Sequence, residues 1–243
     1  MTLSGSDNPE FGSGSDAGSD FIVPLCREEP AVLYADNSLL LVNKPSGLLS
    51  VPGRHPLNRD CLISRLQGQW PTALIVHRLD MDTSGIMVIA LNKEVHANLS
   101  RQFQLRQVDK QYEAVVFGLV ATDSGSVDAP LITDWPQRPL QKICYEQGKP
   151  ALTRYRVLQR DHQDKISKLL LEPQTGRSHQ LRVHLRELGH PILGDSFYGC
   201  PTSKAMASRL MLHAMRLAFT HPVTGEVVIG ESAANFMAEP ERH

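Results

Sequence analysis

Short apolar runs separated by turn-forming residues fill most of the chain, a pattern typical of β-strands. Two runs at 31–34 and 39–43, separated by Asp36-Asn37-Ser38, predict a hairpin. Further strands are predicted at 74–76, 86–91, 112–120, 153–158, 166–171, 217–220 and 227–229. Strands therefore dominate the predicted structure.

Apolar residues at helical spacing predict three helices, at 60–66, 93–107 and 179–188. Their expected N-terminal caps are Asp60, Asn92 and Ser178. Gly189 is expected to end the third helix, because glycine readily adopts the left-handed conformation that follows many helices. The segment 134–139 contains two prolines and is predicted to be a loop without regular structure.

The run His77–Gly85, H-R-L-D-M-D-T-S-G, is a polar segment between the apolar runs at 74–76 and 86–91. A polar turn held by a buried strand on each side is a frequent place for functional residues. Asp80 lies at its centre, two positions after Arg78, and residues of both types are almost never buried unless they are paired. Asp80 is therefore the leading candidate for chemistry.

Composition and charge divide the chain into a tail and a body. The 243 residues are 41% hydrophobic, which is enough for a sizeable core. Residues 1–30 hold six carboxylates and one arginine, a net charge of −5, so the overall charge of −1 leaves +4 for the remainder. The Gly-, Ser- and Asp-rich stretch 1–29 predicts a disordered tail before a single domain at 30–243. A mildly basic body permits an RNA partner without demanding one.

Several classes of protein are excluded by absent patterns. No apolar run approaches the ~20 residues of a membrane span, and no signal peptide is recognisable, so we expect a cytoplasmic protein. The four cysteines form no C-x-x-C pair, and His179, His184 and His190 have no carboxylate or cysteine partner at metal-ligand spacing, so we expect no metal. The segment H-R-L-D is similar to a kinase catalytic loop, but the chain lacks a glycine-rich phosphate loop and has Ser84 where that loop has asparagine.

The central run favours a mechanism with one carboxylate. A nearby cation would keep Asp80 ionised, as a nucleophile or general base. A glycosidase needs a second, protonated carboxyl group. Asp82 is the only local candidate, and nothing around it in the sequence is apolar enough to predict a raised pKa.

Other candidate residues lie outside the central run. Arg182 borders the apolar stripe of the third helix and is the cation best placed to be half-buried. Tyr112 opens a strand, where either ordinary packing or a site role is consistent with the pattern. Trp135 and Arg138 share a loop and suit either base stacking or loop packing, of which the pattern alone favours packing.

Five motifs in order resemble the RluA family of pseudouridine synthases, over about residues 30–232. They are N-K-P-S-G (43–47), H-R-L-D-M-D-T-S-G (77–85), K-Q-Y (110–112), T-G-R-S-H-Q-L-R-V-H (175–184) and G-H-P-I-L-G-D (189–195). The resemblance implies an α+β fold, the pseudouridine synthase fold, in which a mixed, mostly antiparallel β-sheet is flanked by helices around a central catalytic cleft. It implies isomerisation of uridine to pseudouridine in RNA without metal or cofactor.

The resemblance also implies roles for individual residues. The catalytic set would be Asp80 as nucleophile or general base, Arg182 as its ion-pair partner and Tyr112 stacked on the base. The substrate-binding set would be Arg78 in the space left by the flipped nucleotide, Leu181 in the base pocket, and His77, Lys44 and Arg177. Because the catalytic residues are intact, an RNA-binding module that has lost catalysis is the less favoured alternative.

The substrate is expected to be structured RNA. The stretch 134–151 resembles the family member that modifies both 23S rRNA and tRNA, so 23S rRNA and the tRNA anticodon stem-loop are the expected partners. Larger relatives carry an N-terminal S4-type RNA-binding domain, which we do not expect here. A monomer without membrane contact is the expected state.

Overall fold

The computed structural model describes residues 21–234 and 236. Its strands are β1 (Ala31–Ala35), β2 (Leu39–Lys44), β3 (Leu74–Ile75), β4 (Ser84–Ala90), β5 (Asp109–Phe117), β6 (Ser124–Asp128), β7 (Leu131–Thr133), β8 (Gln141–Ile143), β9 (Leu152–Asp161), β10 (Ile166–Pro173), β11 (Leu212–Thr220) and β12 (Val227–Glu231). Its helices are α1 (Leu62–Gln67), α2 (Lys93–Gln104), α3 (Gln180–Glu187) and α4 (Pro201–Ala205), with a 3-10 turn at Trp135–Gln137.

One mixed sheet of ten strands organises the described residues. Eight strands follow the order β1-β2-β4-β11-β5-β10-β9-β6, while β3 pairs with β4 and β12 pairs with β11. Every pairing is antiparallel except that between β4 and β11. β7 and β8 form a separate two-stranded ribbon. The predicted mixed, mostly antiparallel sheet flanked by helices is confirmed.

The parallel pair β4–β11 joins two halves of the sheet, each with its own core. One core contains β2, β4 and α2, and the other contains β5, β10 and α3. Tyr112 packs against both cores. β5, the strand that carries Tyr112, therefore lies at the junction between the halves.

Gly85 makes the close approach of β4 and β11 possible. Its φ is +120°, and an added Cβ would lie 2.3 Å from the carbonyl oxygen of Ala214. Both the backbone conformation and the lack of space exclude a side chain at this position.

We expect Gly85→Ala to lower the free energy of unfolding by about 3 kcal/mol, because strained backbone and overpacking combine. Urea unfolding measures the loss. Gly47→Ala is the matched control, since Gly47 also has a positive φ, +82°, but an added Cβ there would contact nothing within 4 Å. The free energy of unfolding of the control should fall by about 1 kcal/mol. Equal decreases in the two variants would contradict steric crowding at Gly85.

Most predicted elements are present, with differences at their ends. The hairpin β1–β2 and the Asn92 cap of α2 are confirmed, the latter because the Asn92 side chain accepts a hydrogen bond from Val95 N at 2.9 Å. The α1 cap is Cys61, since the Asp60 carboxylate is bound to Arg65 instead. The cap of α3 is His179 and not Ser178.

The segment 134–139 also differs from its prediction, because a 3-10 turn forms within it. Proline is compatible with the first turn of a helix, where its missing N–H has no partner to lose. Strands β6, β7 and β8 and helix α4 were not predicted. They are short, and their sequences have few consecutive apolar residues.

Residues 21–29 form no helix or strand but are attached to the body. Asn58 accepts a hydrogen bond from Val23 N at 2.9 Å and donates one to Phe21 O at 2.7 Å. Arg65 donates to Glu28 O at 2.8 Å. Residues 1–20 lie outside the described residues, so the disordered tail stays a prediction there. No helix in the described part is long and apolar enough to cross a membrane.

Candidate active site

The loop between β3 and β4 presents Asp80 with its side chain 28% exposed. The preceding residue, Leu79, is buried, and its backbone both donates to and accepts from the buried Ser50 hydroxyl, at 3.2 and 2.8 Å. The N–H of Thr83 donates to Asp80 O at 3.2 Å and closes the turn. A rigid backbone therefore holds a carboxylate that remains accessible.

Lys44, which the resemblance placed among the substrate-binding residues, instead supports this loop from beneath. It is fully buried, and its Nζ donates to Pro45 O, Leu48 O and Met81 O at 2.8, 2.8 and 2.9 Å. Burial lowers the pKa of Lys44 to about 7, although the carboxylate of Asp80 opposes the shift. All three donors of the ammonium group are engaged, so none is left for a substrate.

The turn that follows Lys44 makes two more contacts with the loop. Gly47 N donates to Met81 O at 2.9 Å, and the Ser46 hydroxyl donates to Asp82 O at 2.7 Å. The motif N-K-P-S-G thus fixes the backbone immediately after Asp80.

Arg182 on α3 is buried and is held mainly by Asp195, a residue that the sequence analysis did not single out. Its Nε and Nη2 donate to the two oxygens of Asp195 at 3.0 and 2.7 Å. Asp195 is itself fully buried and accepts from the backbone N–H groups of Phe197 and Tyr198, each at 3.0 Å. The signal available in the sequence was its place at the end of G-H-P-I-L-G-D, after an apolar run.

The remaining nitrogen of Arg182 faces Asp80. Arg182 Nη1 lies 4.0 Å from Asp80 Oδ2. The predicted pair is therefore present, but it is the looser of the two ion pairs of Arg182. Asp195 orients the guanidinium and leaves one edge directed at the exposed carboxylate.

Tyr112 and Leu181 line the junction beside Asp80. Tyr112 on β5 pairs in register with Ala214 and Leu171, and burial raises its pKa, with a further contribution from the negative charge of Asp80. Leu181 is buried in the core that Tyr112 contacts. The phenol therefore stays neutral and offers a ring next to the carboxylate.

The pKa of Asp82 differs from what the sequence predicted. Burial raises its pKa, although the positive charges of Arg182 and Lys44 oppose this. The sequence did not indicate this because the residues that bury Asp82 are distant along the chain.

Three other predicted site residues have different environments. His77 is stacked on Phe103, with ring centroids 4.4 Å apart, and its Nε2 accepts from Val88 N at 3.2 Å. Burial lowers its pKa to about 3, so a structural role replaces the predicted substrate contact. Arg78 is exposed and has no hydrogen bond or ion pair within the described ranges. Arg177 donates through Nε to Pro150 O at 3.2 Å.

The ribbon β7–β8 extends a loop whose aromatic residue is exposed. The guanidinium of Arg138 lies 4.8 Å from the centre of the Trp135 ring. Trp135 is 65% exposed, so most of its ring is not packed against the loop. Of the two alternatives, this exposure favours base stacking.

A buried Ser–His pair fixes the start of β4. Arg209 donates to the Ser84 hydroxyl oxygen at 3.1 Å, and the Ser84 hydroxyl donates to His213 Nδ1 at 2.9 Å, because the other ring nitrogen of the neutral imidazole carries the hydrogen. His213 Nε2 then donates to Ser232 O at 3.1 Å. Burial lowers the pKa of His213 to about 4.

This pair predicts a loss of stability in acid. The unfolded chain binds a proton at His213 near pH 6.5, whereas the folded protein binds it only near pH 4, so stability falls as the pH decreases between these values. The free energy of unfolding, measured with urea, should decrease from pH 7 to pH 4.5 in both proteins. The decrease should be about 2 kcal/mol smaller in His213→Asn than in the wild-type protein. Parallel losses would contradict a neutral His213.

No group of three or more His, Cys, Asp or Glu side chains in residues 21–234 and 236 is arranged to hold a metal ion.

Comparison with protein families and curated sequences relates these features to known proteins. The family model described as RNA pseudouridylate synthase matches residues 38–187. A Yersinia pestis protein, named dual-specificity RNA pseudouridine synthase RluA, is 55% identical over 205 residues, which cover 84% of this chain and 99% of that protein. The protein of the same name from Escherichia coli (strain K12) is 52% identical over 211 residues, which cover 86% and 96%.

Solved structures agree with the sequence comparisons. Human RNA Pseudouridylate Synthase Domain Containing 1 is 32% identical, with a TM-score of 0.73 over 87% of this chain and 86% of that chain. Human RNA Pseudouridylate Synthase Domain Containing 4 is 29% identical, with a TM-score of 0.65 over 84% and 88%. The matched family model spans the loop that carries Asp80.

Proposed function

Because the chain belongs to the RNA pseudouridylate synthase family, we propose that it isomerises uridine to pseudouridine in RNA, with both 23S rRNA and tRNA as substrates. The observation that carries this proposal is the accessible carboxylate of Asp80, 4.0 Å from a guanidinium that Asp195 holds in place. The names of the relatives from Yersinia pestis and Escherichia coli support the two substrates. Cytoplasmic location and a monomeric state belong to the same proposal, and light scattering tests the latter.

The first step is extraction of the target nucleotide from the RNA stack. Flipping a base out of a helix requires a few kcal/mol. The exposed guanidinium of Arg78, two residues before Asp80, is placed to fill the vacated space, since a planar cation can stack on bases. The ring of Tyr112 would stack on the flipped uracil beside Asp80.

The second step exchanges one bond of the sugar for another. The C1′–N1 bond breaks, the detached uracil turns within the pocket, a C1′–C5 bond forms, C5 loses its proton and N1 gains one. Asp80 acts either as a nucleophile, on C1′ or on uracil C6, or as a base that removes the C2′ proton. Leu181 and its apolar neighbours would retain the uracil and exclude water. All atoms of the substrate except exchanged protons are kept, so the reaction requires no oxidant or group donor.

Tritium release from RNA that contains 5-tritiated uridine tests the function, because C5 must lose its hydrogen. The full chain should release tritium from transcripts of 23S rRNA and of tRNA at a uridine that mapping then locates. An RNA-binding module that had lost catalysis would bind these transcripts without release. Release from only one transcript would contradict dual specificity but not isomerase activity.

Arg78→Ala should reduce kcat/KM on structured RNA by about 10- to 100-fold, because flipping would lose a stacking partner worth a few kcal/mol. The loss should be smaller on flexible single strands, whose bases are already unstacked. Arg101→Ala removes an exposed cation of α2 and controls for charge alone. Equal losses on both kinds of RNA would argue against the flipping role.

A further inference from the structure

His179 lies at the start of α3 in a backbone conformation that is unusual for its type. It caps the helix with φ 54° and ψ 16°, in the left-handed region. Residues other than glycine seldom adopt this conformation, although histidine does so more often than most, and it often accompanies functional sites. The rings of Phe197 and Tyr198 lie against both His179 and the guanidinium of Arg182, so these two side chains are neighbours.

One ring nitrogen of His179 is engaged in a defined hydrogen-bond chain. The Tyr198 hydroxyl accepts from Gln141 N at 2.8 Å and lies 2.7 Å from His179 Nδ1. Because Tyr198 is buried, its own hydroxyl hydrogen needs an acceptor, and Nδ1 provides it. The imidazole therefore carries its hydrogen on Nε2.

The second nitrogen faces no protein partner. Across residues 21–234 and 236, no hydrogen bond is formed by His179 Nε2. Phe197 holds the ring from one side, with centroids 5.6 Å apart. A rigidly held donor with no acceptor is what a binding site provides before its ligand arrives.

The charges around His179 are those of the proposed active site. Burial lowers its pKa, and Asp80 exerts the largest opposing effect of any charged group. Arg182 lowers the pKa further, whereas Asp195 and Asp82 raise it. Arg182, the neighbour of His179, has its Nη1 4.0 Å from Asp80 Oδ2, so the imidazole lies beside the same pair. Its Nε2–H is present whether the ring is neutral or protonated.

We propose that His179 is a further substrate-binding residue, which donates its Nε2–H to an oxygen of the flipped nucleotide. The acceptor is a uracil carbonyl oxygen or an oxygen of the adjacent phosphate. The inference rests on the proposed isomerase function and adds a contact to it. It also couples the site to the ribbon β7–β8, because Gln141, which anchors Tyr198, belongs to β8.

Two near-isosteric variants of the full chain separate the two nitrogens. In His179→Gln the amide nitrogen replaces Nε2 and keeps the outward donor. In His179→Asn the amide replaces the ring near Nδ1, keeps a partner for Tyr198, and suits the left-handed backbone. We expect kcat/KM to fall about 10- to 100-fold in His179→Asn, because the substrate oxygen loses its donor, and less than about 5-fold in His179→Gln.

Thermal unfolding and the pH profile exclude other roles. Both variants should unfold cooperatively within a few degrees of the wild-type protein, and the ratio of wild-type to His179→Asn activity should stay constant from pH 6 to 9. A ratio that titrates would assign proton transfer to His179 and overturn the proposal. Full activity of His179→Asn, or equal losses in both variants, would also overturn it. His162→Gln, at an exposed turn between β9 and β10, makes the same chemical change away from the site.

Binding to two modified RNAs identifies the acceptor. One RNA carries 5-fluorouridine at the target, whose C5–F bond cannot release a proton, and the other carries an abasic ribose. A loss of affinity in His179→Asn for the first RNA alone assigns the base, and an equal loss for both assigns the phosphate. No loss for either RNA would overturn the proposal. This binding result stands even if the wild-type protein released no tritium, so failure of the isomerase proposal is recognised separately.

Discussion

Replacing Asp80 by asparagine is expected to reduce kcat by about 10⁴-fold or more while leaving RNA affinity nearly unchanged. Asparagine has the same shape but is neither a nucleophile nor a base, and loss of the reacting group of an enzyme typically has an effect of this size. The Asp80 side chain makes no hydrogen bond to the described residues, so the variant should fold normally. Tritium release under single-turnover conditions, together with filter binding of the same RNA, measures the two quantities.

Asp82→Asn is the matched control for this experiment. It makes the same isosteric change two residues away, on a carboxyl group whose pKa is raised by burial. If only one carboxylate reacts, Asp82→Asn should lower kcat by about 10-fold or less. Losses of the same size at Asp80 and Asp82 would indicate that two carboxylates share the chemistry.

Local patterns in the sequence predicted the structural setting of Asp80. The alternation of apolar and polar runs placed Asp80 on a turn between two strands, and the structure has that turn between β3 and β4. The helical period placed Arg182 beside a buried stripe, and it is buried. Both features depend on the spacing of neighbouring residues, which the sequence displays directly.

Other parts of the site depend on contacts between distant segments. Nothing local distinguishes Asp195 from a surface carboxylate, because its burial follows from the packing of the segment after α3 against α3 itself. Lys44 and His77 were expected near the substrate. Lys44 instead donates to a backbone carbonyl of the loop, and His77 accepts from a backbone N–H group and stacks on Phe103. A motif shows that a residue is part of a site but not which side of the backbone it occupies.

The buried pair of Arg182 and Asp195 predicts the largest effect on stability. Asp195→Asn keeps the shape and the acceptor for the backbone N–H groups, but it leaves the buried guanidinium with only the looser contact to Asp80 as a counter-charge. We expect the free energy of unfolding to fall by about 3 to 5 kcal/mol, the usual result of breaking a buried pair. Asp123→Asn is the control, because Asp123 binds Arg160 at the same 2.7 Å but is 87% exposed, and it should lose less than about 1 kcal/mol.

A double variant separates the structural role of this pair from its role beside Asp80. Arg182→Met with Asp195→Asn removes both charges, so its stability should exceed that of Asp195→Asn alone, with a coupling energy of about 2 kcal/mol. Tritium release should nevertheless remain low, because no cation faces Asp80 in that protein. Additive stability losses would contradict the pairing. Recovery of activity together with stability would mean that Arg182 serves the fold alone and that Asp80 reacts without it.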